Sequence, residues 1–182
     1  MKGTTMLGGG WSWLTCVAAI GCSLVGGVFF AFSSFVMTAL SRLPASQGIA
    51  AMQSINVVVI NVSFMTLLFG TAAACMSAAG MALLDWQRPG AGWALAGSLI
   101  YLVGTIGVTI LFNVPRNDAL AAVSADGAEG AAIWASYLTQ WTAYNHVRTI
   151  AAILAAALLV VSLRAPSMPK EIVASTINAA AK

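Results

Sequence analysis

The sequence predicts an all-α membrane protein, an antiparallel bundle of four transmembrane helices with a capping helical segment in the third connection. Three observations carry that expectation. Of 182 residues, 60% are hydrophobic and 7% charged, with a mean hydropathy of +0.90, whereas a soluble domain is roughly 25% charged. Four apolar runs reach the ~20 residues that a spanning helix needs. The polar side chains inside those runs gather toward one membrane face, where each must be paired or line a wet cavity because hydrocarbon leaves it unsolvated.

The spans read as Trp13 to Leu40, Val57 to Leu84, Gly92 to Phe112 and Trp141 to Leu163. At ~1.5 Å per residue the first two measure about 42 Å against a hydrocarbon core of roughly 30 Å, so they tilt or project beyond the lipid. The first run greatly exceeds the roughly 7–15 residues of a signal peptide and no clear small-residue cleavage site follows, so it reads as a retained span. Ala19-Ile20-Gly21-Cys22 faintly resembles a lipoprotein box, but it lacks the usual leucine and is embedded in the apolar run.

Ser41 to Asn56 reads as a short connection, and Asp85 to Ala91 as a tight turn marked by Pro89-Gly90. Both force antiparallel neighbours. The third connection is long. Asp126-Gly127 and Gly130 break it, and Ala131 to Trp141 reads as helix running into the last span and capping the bundle. Pro166 and Pro169 end the chain's last helix, which makes residues 1–165 one four-helix domain and 166–182 a short polar tail. Gly97 and Gly104 share a face at heptad spacing, while Ala151, Ala155 and Ala156 flatten one side of the fourth span, a pattern that lets membrane helices approach closely.

The net charge of +3 is scattered, with no basic run to neutralise phosphates, so nucleic acid is set aside. Cys16, Cys22 and Cys75 form no CxxC pair and read as small apolar packing residues. One histidine with only Asp118, Asp126 and Glu129 on the polar face makes a weak ligand set, so no metal is expected. Neither a haem site nor a hydrolytic triad is supported. Lys2, Arg88, Arg164, Lys170 and Lys182 lie on the side of the termini, against Arg42, Arg116 and Arg148 opposite, which favours cytoplasmic termini in a bacterial-type inner or plasma membrane.

Four helix ends meet at the face of the first and third connections. The first span brings Ser34, Thr38 and Ser41; the second brings Gln53 and Asn56, with Asn61 deeper on another face. A stripe of Tyr101, Thr105, Thr109 and Asn113 runs down the third at i+4 steps, followed by Arg116 and Asn117. On the fourth, Trp134, Trp141, Asn145 and Arg148 superpose on one face. His146 lies about 100° from Asn145 and about 160° from Arg148 around the helix. It borders their pocket from the adjacent face or contacts a neighbouring helix, and both placements stand open. The plainer reading makes the Ser/Thr stripes interhelical glue, Asn56 and Asn113 helix caps, and Arg148 a side chain that snorkels to headgroups.

Gly27-Val28-Phe29-Phe30-Ala31-Phe32-Ser33, Leu43-Pro44, Met52-Gln53-Ser54-Ile55-Asn56, Asn113-Val114-Pro115-Arg116-Asn117-Asp118-Ala119-Leu120, and Trp141 with Asn145-His146-Val147-Arg148-Thr149 together resemble the anthrone-oxygenase-like family. The resemblance implies a four-helix membrane protein and, for some members, oxidation of an anthrone methylene to a quinone carbonyl by O₂ with no metal or flavin cofactor. Many bacterial members have no assigned function. On that reading a base removes the acidic benzylic proton and leaves an enolate that reacts with O₂. His146, with a reference pKa of about 6.5, is the preferred base. Arg148 stabilises the enolate or peroxide, and Asn145, Asn113 and Asn56 orient its oxygens. Trp141 and Tyr144 wall the flat substrate, with Gln53, Arg116 and Asn117 completing the substrate-binding set. The competing classes are a membrane module that binds a small amphipathic or quinone-like molecule without turnover, and a structural protein whose polar groups serve packing alone.

Overall fold

The computed structural model describes residues 4–165, and every element within them is a helix. The tail 166–182 and the cations Lys2, Lys170 and Lys182 lie outside the described residues. Four helical stretches are long and apolar enough to cross a membrane: Gly10–Ser41, Val62–Leu84, Ala91–Ala121 and Glu129–Arg164.

The first span consists of α1 (Thr4–Ala31), a π-helical turn (Phe32–Val36) and α2 (Met37–Ser41). Pro44, extended at ψ 142, then opens α3 (Ala45–Val58). The second span is α4 (Val62–Leu84). The third joins α5 (Ala91–Ile100), two π-helical segments (Tyr101–Gly107 and Thr109–Asn113) and α6 (Val114–Ala121). The fourth is a single helix, α7 (Ala128–Arg164).

Three of these boundaries differ from the expected ones for local reasons. The connection before the second span is mostly helix, and that span begins at Val62 rather than Val57. Asn61 explains the break, because its Oδ1 accepts from Phe64 N at 2.9 Å while its Nδ2 donates to Val58 O at 2.9 Å, so one amide ends α3 and caps α4. The third span passes Phe112 because Pro115 falls in the first turn of α6, where a missing N–H is tolerated. The fourth begins at Ala128, after Gly127, and carries the helical cap of the third connection in one rod with the last span.

Each span packs on the next, and the fourth closes against the first. Two apolar cores result. One is built from Ala18, Cys22, Val25, Cys75, Ala94, Ala152 and Leu159 between the four spans. The other lies at the end shared by the first and third connections, where Met37, Ile49, Met52, Leu120, Trp134 and Tyr137 form a cap. Span two is the short one. At ~1.5 Å per residue its 23 residues give about 35 Å, against about 54 Å for the 36 of span four, so α3 fills the space above α4.

Small residues set the closest approaches. A Cβ on Gly104 would sit 2.6 Å from Ala151 Cβ, and one on Gly97 would sit 3.0 Å from Ala155 O. Gly104→Leu is therefore expected to lower thermal stability in detergent by about 1–3 kcal/mol, the usual range for overpacking. A melting temperature equal to wild type would show that spans three and four separate without loss.

Candidate functional site

The face predicted for the fourth span folds inward. Trp134, Trp141, Asn145 and Arg148 are all buried, and Tyr137 joins them. Asn145 is the knot between the first and fourth spans: its Nδ2 donates to Phe29 O and to Ser33 Oγ, each at 2.8 Å. Its Oδ1 accepts from Arg148 Nη2 at 2.8 Å. Ser33 Oγ also lies 3.0 Å from Thr149 Oγ1.

Arg148 points into the bundle, not out to headgroups. Its Nη1 donates to Thr109 Oγ1 at 3.3 Å, and the guanidinium carbon stands 4.1 Å from the centre of the Phe29 ring and 5.1 Å from that of Trp141. Two ring faces and two neutral oxygens thus surround the charge. Such cation–π contacts contribute ~2 kcal/mol or more when desolvated, yet none of these partners is an anion. Among the described residues the one ion pair joins Arg88 to Asp85 in the turn after span two. Arg148 Nε is buried without a partner, as is Asn56 Nδ2.

Arg148 and Asn56 both belong to the lining of a cavity of about 250 Å³, just below the ~300–1,000 Å³ of typical small-molecule sites. Phe29, Phe32, Phe64, Leu68, Ile106 and Trp141 are among the residues of its apolar wall, while Arg148, Asn56, Thr109 and Asn117 supply its polar groups. Among the described residues no three His, Cys, Asp or Glu side chains gather as a cation cage. Trp141 is fixed by its Nε1–H, which donates to Asn117 Oδ1 at 2.8 Å; Tyr137 donates to the same oxygen at 2.8 Å. Tyr137 stacks between Trp134 and Trp141, so the cap continues into the cavity wall as a column of rings.

The predicted site residues therefore separate into groups. Arg148, Trp141, Asn117 and Asn56 line the cavity, and Asn145 stands behind Arg148. Asn113 lies behind the wall, donating from Nδ2 to Trp141 O at 3.2 Å. Gln53 ties the cap together, its Nε2 donating to Leu120 O and Val123 O at 2.9 and 3.0 Å. Arg116 and Tyr144 form a separate cluster outside: Arg116 lies 4.5 Å over the Tyr144 ring, donates to Gln140 Oε1, and Tyr144 stacks on Phe112 at 4.4 Å.

His146 is exposed and absent from the cavity wall. Helix geometry is the reason: with Arg148 directed inward, a residue about 160° away faces out. On the first span Ser34 and Ser41 donate to carbonyls of their own helix and Thr38 is exposed, so that stripe does not reach the site. Ser33 and Phe29 do reach it. Their spacing of four places them on one face, but only the partner helix reveals which face turns inward.

The third-span stripe stays in register through its π turns. Steps of i+4 overshoot an α turn by about 40° each, and the wider π turns of Tyr101–Gly107 and Thr109–Asn113 absorb that drift. Tyr101 donates to Leu68 O, Thr105 to Arg148 O, and Asn113 to Trp141 O, while Thr109 accepts from Arg148. One stripe thus bridges both neighbouring spans.

A family model described as anthrone oxygenase matches residues 60–158, over half of the chain. The match includes Thr109, Asn117, Trp141, Asn145 and Arg148, whereas Phe29, Ser33 and Asn56 precede it. No curated protein and no solved structure matches the chain.

Proposed function

Because the chain belongs to the anthrone oxygenase family of membrane proteins, we propose that its cavity binds a planar polycyclic phenol, stabilises the anion it forms there and oxidises it with O₂. The observation that carries this reading is Arg148, a buried guanidinium in the cavity lining with no anionic partner among the described residues. An uncompensated charge in an apolar setting is costly to keep. A ligand that brings negative charge relieves that cost, and one whose charge develops during reaction is stabilised most where the charge appears.

The chemistry balances without a further redox partner. Loss of one benzylic proton to water gives the enolate, held by Arg148 and Asn56. One electron passes to O₂, the two radicals join as a carbon-bound peroxide anion, and that anion takes up a proton. Removal of the second benzylic proton then expels hydroxide, breaking the O–O bond to give a ketone. The net change is CH₂ + O₂ → C=O + H₂O. Arg148 acts as an electrostatic partner and not as a base, since guanidinium holds its proton. Asn145 positions it. Trp141, Phe29 and Phe32 offer flat walls to the rings.

Purified protein given a dihydroxyanthrone in air is expected to take up one O₂ per substrate, with quinone formation and no conversion under argon. Binding of the anthrone without oxygen uptake would replace this reading with a ligand-binding module. His146, facing outward, has no role in the reaction proposed: His146→Ala is expected to keep oxygen uptake within about twofold, as for other surface changes. Loss of turnover in that variant would restore histidine as the base.

A further inference from the structure

Three residues that wall the cavity also face outward from the bundle. Ile60 is 72% exposed, Phe69 54% and Ile110 56%. They frame a gap between α4 and the third span. These helices pack closely along α5, less along Tyr101–Gly107, and part toward the cavity, where the break at Val59–Asn61 interrupts the helical wall.

The depth of that gap follows from the tryptophans. Trp13, Trp86 and Trp93 are exposed at the end of the bundle that carries the turn after span two, the distribution of an interfacial aromatic belt. At ~1.5 Å per residue, Ile110 lies about 26 Å from Trp93, and Phe69 about 22 Å from Leu84 at the same end of α4. Both distances fall inside a hydrocarbon core of roughly 30 Å. Phe69 and Ile110 thus give the rim an apolar side at a depth where lipid tails surround the protein, while Ile60, about 36 Å from Leu84 by the same measure, marks its edge at the membrane interface.

We propose that the cavity opens sideways into the bilayer through this gap and takes its planar, lipid-soluble substrate from the hydrocarbon phase. The inference rests on the cavity being the ligand site proposed above, and it adds the route by which the substrate enters. Polycyclic phenols partition into membranes, so the concentration that matters is that in the lipid. A polar conjugate of the same ring system is excluded from the hydrocarbon that flanks Phe69 and Ile110.

The test uses the full-length protein in liposomes with a phenyl-diazirine photolabel dissolved in the bilayer. Phe29 and Trp141 are buried against lipid but line the cavity. Carbene adducts on these two residues are expected in the wild type. They fall severalfold in Ile110→Trp and in Phe69→Trp, two rim variants on different helices, while Leu111→Trp, outward and away from the rim, leaves them unchanged. Adducts confined to outward residues such as Leu111 in the wild type would overturn the proposal, as would interior adducts insensitive to both rim variants. Interior labelling does not depend on turnover. Labelling that follows this pattern without oxygen uptake supports the portal and removes the oxygenase reading; oxygen uptake with an unlabelled interior does the reverse.

Discussion

Arg148→Met is expected to lower anthrone-dependent oxygen uptake about 10²–10³-fold, the scale seen when a donor to a developing oxyanion is lost, while leaving the protein folded. Methionine fills a similar space with an apolar chain. It removes a charge that no described side chain neutralises, and exchanging buried charges for apolar groups of like volume is often neutral or stabilising by ~1–4 kcal/mol. Against that stands the loss of donors to Asn145 Oδ1 and Thr109 Oγ1, which costs ~1–3 kcal/mol for a buried orphan. The two effects are comparable, so a melting temperature near wild type should accompany the collapse in turnover. Arg148→Lys separates charge from shape: it keeps the positive charge but loses the planar fork, and is expected to fall between the two. Full activity in Arg148→Met would end the enolate proposal. A collapse in both stability and activity would make the guanidinium a structural post.

Asn145→Ala is expected to act through stability instead. The amide holds Phe29 O, Ser33 Oγ and Arg148 Nη2 at once, so truncation removes three hydrogen bonds, two of them between span one and span four. Interhelical hydrogen bonds in membranes average ~0.6 kcal/mol and reach ~1.7. Three losses then come to roughly 2–5 kcal/mol, or a melting temperature lower by about 4–20 °C for a chain of this size. Thermal unfolding followed by tryptophan fluorescence in detergent measures it. A shift no larger than that of Ser33→Ala would show that Asn145 holds Arg148 alone. Anthrone binding is expected to weaken as well, because the guanidinium loses the group that aims it.

The four-helix architecture is legible in the sequence because it depends on little more than apolar length. Hydrocarbon tolerates no unpaired backbone, and runs such as Val62 to Leu84 have no state open to them but helix. What the sequence hides is the helix within a connection. Gln53, Ser54 and Asn56 resemble loop residues, yet they belong to α3, where Gln53 holds the cap by two backbone carbonyls. The site divides along the same line. Spacing alone aligned Trp141, Asn145 and Arg148, because a single rigid helix keeps its phase. It left His146 open, since which face turns inward depends on the helices across from it. Arg116 and Tyr144 looked like pocket residues by position, but they satisfy one another outside. Ser33 carries no mark that distinguishes it from Ser34 until Asn145 is placed opposite.

The π turns carry a consequence for how this protein tolerates change. A turn of that kind holds one more residue than the helix around it requires, so the angular setting of everything beyond it is fixed by the number of residues as well as by their kind. Removing one residue from Phe32–Val36 closes the wide turn to an ordinary α turn and keeps Met37 and Leu40 in phase with Phe29, whereas removing one from the plain helix of α1 swings everything beyond it by about 100°. Point substitutions will not uncover such a dependence, but single-residue deletions stepped along the first and third spans will.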